Sequence, residues 1–127
     1  MRRVFGLMGI LVVLMQNACS GSSGGDQGPT ATQKCEGFVD AWCGRAIGCL
    51  VELGTIQESQ RASGVTTCHD GAITAAHCAN AVAVGPTYDQ CISETNTMPC
   101  SSWNVPSTDL GSVRPPMSCT GVIKVTQ

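Results

Sequence analysis

KCEGFVDAWCGRAIGCLVEL, residues 34–53, is the stretch on which the fold turns. Cys35, Phe38, Val39, Trp42, Cys43, Ala46, Ile47 and Leu50 recur at three- and four-residue spacing, one continuous apolar stripe on a helix. Lys34, Glu36, Asp40, Arg45 and Glu52 fall mostly off that stripe. Gly54 is expected to stop the helix, because glycine takes the left-handed conformation at a helix C-terminus at no steric cost. Gly37, Gly44 and Gly48 each cost up to about 1 kcal/mol in a helix interior. Such a helix is expected to depend on close packing or on cross-links.

Working downstream, Thr55-Ile-Gln-Glu58 has the form of a capping box and predicts a short helical turn ending near Gly64. A second long helix is predicted from about Thr66 to Val82, with Cys68, Ala72, Ala75, Ala76 and Ala79 on its inner side. Gly85-Pro86-Thr87 restarts the chain. Tyr88, Cys91, Ile92 and Thr95 then mark a third helix of about ten residues, which Pro99 ends. Beyond Ser101, Pro106, Pro115 and Pro116 forbid a long helix, and the segment 121–126, GVIKVT, is strand-like. The fold class expected is mainly α: a small disulfide-stapled bundle of three main helices with an irregular, partly β C-terminal tail. The helical domain spans 34–100, and the tail 101–127 is pinned by Cys119.

Nine cysteines in 127 residues set the redox environment. Cys35, Cys43, Cys49, Cys68, Cys78, Cys91, Cys100 and Cys119 lie in the predicted domain and tail, an even set suited to four disulfides in an exported protein. The core is thin in aromatics, with only Phe38, Trp42, Tyr88 and Trp103 beyond the N-terminal segment. Each bridge is worth roughly 2–4 kcal/mol against a total stability of about 5–15 kcal/mol for an ordinary domain. Without the staples this chain is marginal.

Upstream, Arg2-Arg3 precede the twelve-residue apolar run VFGLMGILVVLM at 4–15, which the polar pair Gln16-Asn17 ends. A membrane-spanning helix needs about 20 apolar residues; twelve is the length of a signal-peptide core. Residues 1–18 are therefore expected to be an export signal. Met15-Gln16-Asn17-Ala18-Cys19 resembles the cleavage box of bacterial lipoproteins, although Gln16 stands where that family usually carries Leu or another apolar residue. A general signal peptidase also prefers small residues there, so Gln16 favours neither route. The odd ninth cysteine and the Ser/Gly-rich run after it favour lipidation of Cys19. The resemblance implies acylation of Cys19, and Ser20 resembles lipoproteins sent on to the outer membrane. Residues 19–33 are then a lipid-anchor cysteine and a flexible tether, whose fourteen residues after the cysteine reach about 20 Å. The chain as a whole resembles the small cysteine-rich lipoproteins of Gram-negative bacteria.

Removing residues 1–18 leaves five basic residues against nine acidic ones, a net charge of −4. No basic patch remains, so nucleic acid is not an expected partner. Thr74-Ala-Ala-His77-Cys78 resembles the segment around the catalytic histidine of trypsin-like serine proteases. Such an enzyme needs two β-barrels and a downstream GDSGG-like serine turn. A helical chain with only fifty residues after His77 provides neither. Cys68-His69-Asp70 with His77-Cys78 suggests a metal site, but His69 and His77 on one helix would point about 80° apart and lie about 12 Å apart along the axis. No Cys-x-x-Cys or His-x-x-x-His occurs. Four helical segments with four disulfides resemble plant lipid-transfer proteins, but the adjacent Cys-Cys and the Cys-x-Cys of that family are missing.

The expectation is a non-enzymatic, lipid-anchored envelope protein without cofactor or metal. It would contact the membrane through its anchor and serve as a module for a protein or peptide partner. The alternative is a periplasmic metal- or small-ligand-binding protein. An antiparallel pairing of the first two helices, with the third returning parallel to the first, predicts the bridges Cys49–Cys68, Cys43–Cys78, Cys35–Cys91 and Cys100–Cys119. The middle two are free to exchange partners.

Overall fold

A computed structural model describes residues 29–126. The expected signal segment, Cys19 with its expected acyl anchor, and most of the expected tether lie outside the described residues.

Helix α1 spans Ala31–Glu52 and begins four residues before the apolar stripe does. Thr30-Ala-Thr-Gln33 is the cause. The Gln33 amide donates to Thr30 Oγ1 at 3.2 Å and the Thr30 amide donates to Gln33 Oε1 at 2.9 Å, a reciprocal capping box at the end of the segment expected to be tether. At the other end Gly54 takes φ 73°. The Gly54 and Thr55 amides donate to the Val51 and Leu50 carbonyls at 2.9 and 2.8 Å, a Schellman stop at the expected place. The face with Cys35, Val39, Cys43, Ala46, Ile47, Cys49 and Leu50 is buried, as the stripe requires.

Helix α2 spans Arg61–Ala75, not Thr66–Val82. A 3₁₀ turn at Glu58–Gln60 leads into it, and the Gln57 amide donates to Gln60 Oε1 at 2.9 Å. The helix closes at Ala76, after which His77 takes the left-handed conformation at φ 53° and turns the chain. Strand β1, Ala81–Val84, occupies what read as the end of that helix. It pairs antiparallel with strand β2, Ile123–Val125, within the segment expected to be extended. The pairing partner lies some forty residues away in sequence, so no local pattern announced β1.

Helix α3 spans Tyr88–Thr97 and matches its expected length. The Tyr88 hydroxyl donates to the Lys34 carbonyl at 2.7 Å near the start of α1. Arg45, further along α1, donates through Nε (2.7 Å) and Nη2 to the carbonyl of Met98 just past α3. The two helices therefore run parallel, as expected, and are held together by polar contacts. A methyl group on Gly37 would lie 3.0 Å from the Tyr88 hydroxyl oxygen, so any larger residue there would push the Tyr88 side chain by a few tenths of an ångström.

The four expected disulfides are replaced by another set. The bridges are Cys35–Cys78, Cys43–Cys68, Cys49–Cys100 and Cys91–Cys119, with Cα separations of 5.4, 5.7, 4.9 and 4.7 Å. The antiparallel sense of α1 and α2 stands; their register was misjudged. Because α2 starts at Arg61, Cys68 sits seven residues in, about 10 Å along the axis. It therefore lies level with Cys43 instead of Cys49, and Cys78 follows level with Cys35. Cys49 is left for Cys100, and Cys119 for Cys91.

The tail is part of the core. Short 3₁₀ turns at Cys100–Trp103, Ser107–Ser112 and Met117–Cys119 carry Trp103 and Val113 onto α1, where they are buried with Ala46 and Cys49. The Trp42 and Trp103 rings meet edge to face with centroids 4.6 Å apart. Among the described residues no helix is long and apolar enough to cross a membrane.

Candidate functional site

The residues that looked like chemistry do not come together. His77 lies in the left-handed turn that ends α2, exposed, over a shallow depression shared with Thr32, Glu36, Ile73, Thr74, Ala79 and Asn80. Among the described residues no serine or threonine hydroxyl hydrogen-bonds to either histidine. The left-handed region is where non-glycine residues are rare and Asn, Asp and His are enriched. His77 thus has a backbone reason to be there that owes nothing to proton transfer. His69 lies on α2 with Nε2 3.3 Å from Asp40 Oδ1 on α1 and Nδ1 3.7 Å from Asp70 Oδ1. It is a surface tie between the two helices.

Cys68 and Cys78, weighed as metal ligands and set aside on spacing, have their sulfurs in disulfides to Cys43 and Cys35. Among the described residues one group of three donors is close enough to share an ion: Cys49, Glu52 and Cys100. Its two sulfurs are bonded to each other. A disulfide sulfur is no thiolate, and thiolate is the form in which cysteine holds zinc or copper.

Arg45, Cys49 and Glu52 are spaced four and three residues apart and so share one face of α1. All three engage the start of the tail: Arg45 the Met98 carbonyl, Cys49 the sulfur of Cys100, and Glu52 the flank of that same sulfur. The long helix therefore carries two stripes, an apolar one for the core and this clamp for the tail. Elsewhere, the Ser118 hydroxyl and then Gln90 Nε2 donate to the Glu94 carboxylate and hold its pKa below the usual carboxylate range. Desolvation, reinforced by Asp89 and Asp40, pushes the Tyr88 phenol up.

The feature best suited to bind something is an apolar groove of about 520 Å³ between α1, α2 and the tail. Phe38, Val39 and Trp42 of α1 line it. Gly71, Ala72, Ala75 and Ala76 supply the α2 side, and Leu110, Val113 and Pro115 the tail wall. α2 has no fully buried residue, because its small side chains leave this space unfilled against α1. The volume falls within the roughly 300–1,000 Å³ of small-ligand pockets. Sequence reasoning named the alanine face of α2, but took it as a close helix contact; the tail wall comes from a segment that carried no pattern.

Four bridges in a chain of this size belong to an oxidising compartment, outside the cell or in a periplasm. Compared with known protein families, with curated proteins and with solved structures, the chain finds no match.

Proposed function

We propose that this chain is a lipid-anchored protein of the cell envelope, placed at the outer membrane, whose folded part is a non-enzymatic interaction module. The observation that carries the reading is cysteine parity. All eight cysteines of the folded part close on one another. Cys19 is then left with no cysteine partner in the chain, directly after Ala18 and before SGSSGG, where lipoproteins carry their acylated residue. The groove between α1, α2 and the tail is the surface we assign to a protein or peptide partner. A small apolar ligand in the same groove is the second reading, favoured by its volume. A metal is not favoured, since the clustered sulfurs are oxidised.

Metabolic labelling with a fatty acid, followed by membrane fractionation, tests the anchor. The wild-type chain takes up label and pellets with the membrane; Cys19→Ser loses the label and is either released or left unprocessed. Label retained in Cys19→Ser sinks the proposal.

A further inference from the structure

The four bridges divide the described chain into two stapled halves. Cys35–Cys78 and Cys43–Cys68 lie within the α1–α2 half, and Cys91–Cys119 lies within the half formed by α3 and the tail. Among the described residues Cys49–Cys100 is the one bridge that joins them. It sits at the edge of the buried cluster of Ala46, Trp103 and Val113, where the two halves meet.

Its two sulfurs are not equally reachable. Cys49 is 0 % exposed, whereas Cys100 is partly exposed. Thiol–disulfide exchange depends on access to the sulfur attacked, so an incoming thiolate must arrive at Cys100. There Glu52 Oε2 lies 3.2 Å from Cys100 Sγ. An oxidised sulfur carries no proton, so this contact is no hydrogen bond; it sets a negative charge at the point of attack. Arg45, on the same face of α1, has its guanidinium engaged on the Met98 carbonyl.

We propose that Cys49–Cys100 is a redox clasp between the two halves, and that Glu52 selects the thiols that open it. The carboxylate holds off anionic thiols and admits neutral or cationic ones. In the opening step a small-molecule thiolate attacks Cys100 Sγ, a mixed disulfide forms, and the bond to Cys49 breaks. Cys49 departs as thiolate and takes a proton from water. A second thiolate then attacks the sulfur contributed by the first, releasing Cys100, which is protonated in turn. Two small thiols are thereby oxidised to one disulfide, and one protein bridge is reduced to two thiols. With the clasp open, the halves are joined by residues 79–90, by the β1–β2 pairing, by the packing of Trp103 and Val113 on α1 and by the polar contacts of Tyr88 and Arg45.

The experiment follows, in the full oxidised chain, the rate at which each cysteine becomes alkylatable, using glutathione as an anionic thiol and cysteamine as a cationic one. The quantity read is the cysteamine-to-glutathione rate ratio at Cys100, in wild type and in Glu52→Gln. The wild-type ratio is expected to exceed that of Glu52→Gln by about two- to fivefold, the size of one exposed charge interaction, and the excess should shrink at 1 M salt. The Cys43–Cys68 bridge, whose Cys68 is also partly exposed, serves as an internal reference with a ratio that Glu52→Gln leaves alone. A variant that merely loosens the fold speeds both thiols alike and leaves the ratio unchanged. That outcome overturns the proposal. So does release of Cys35–Cys78 or Cys91–Cys119 together with Cys100, the signature of global unfolding.

Discussion

His77 is the residue whose surroundings in sequence most misrepresent its role. With φ 53° it takes a backbone position that costs an ordinary L-residue about 1–2 kcal/mol. His77→Gly should leave stability unchanged or raise it by up to about 1 kcal/mol, while His77→Val lowers it by about 1–2 kcal/mol. Urea titrations of the two variants check the ordering; a stable Val variant would contradict the strained turn. The TAAH string was legible, but its meaning was not, since a left-handed residue after a helix end looks like any other in sequence. Tyr88 carries a prediction in pH. Burial first, then Asp89 and Asp40, raises its pKa in the folded state, so on alkalinisation the unfolded chain releases the proton first. Stability is unaffected below the ordinary tyrosine value of about 10 and falls as pH rises past it. Tyr88→Phe should remove this component of the alkaline fall, as read from denaturation midpoints at stepped pH.

Among the elements, α1 was readable because its signals are local: a periodic stripe, a glycine stop and a cap. Even there the Thr30–Gln33 cap was assigned to the tether, since TATQ continues a polar run and only its geometry shows it as a helix start. Thr30→Ala is expected to cost about 1 kcal/mol in thermal or chemical denaturation. The glycines of α1 are not equivalent. A Cβ on Gly44 meets nothing within 4 Å, so Gly44→Ala should gain about 0.5–1 kcal/mol of helix propensity. The same change at Gly37 pushes on the Tyr88 hydroxyl at 3.0 Å and should forfeit that gain by disturbing the bond to the Lys34 carbonyl. Equal gains at both positions would refute the close crossing. α2 was legible as a helix but not in its bounds. Its start depends on a turn closed by Gln60, and its end on β1 finding β2.

For the whole molecule, the count of bridges was legible and their partners were not. A seven-residue error in where α2 ends was tolerable, but a five-residue error in where it begins moved every rung of the α1–α2 ladder. The groove was hidden for a related reason: three distant segments build it, and no one of them shows it alone. Replacing both Cys49 and Cys100 with alanine removes the closure of a loop with sequence separation 51. The expected cost is about 4 kcal/mol, and Trp103 fluorescence should shift as its pocket opens. A variant as stable as wild type would show that packing alone joins the halves. Numbered along the chain, the bridges run first to fifth, second to fourth, third to seventh and sixth to eighth, so no cysteine is bonded to its neighbour in that series. A polypeptide is made from its N-terminus, and Cys35, Cys43 and Cys49 all emerge before any of their lawful partners exists. The first oxidation available to the nascent chain is therefore an error, and the native pattern is reached by shuffling. Maturation should stall in a purely oxidising medium and proceed where a disulfide isomerase or a thiol buffer lets the early mistakes be undone.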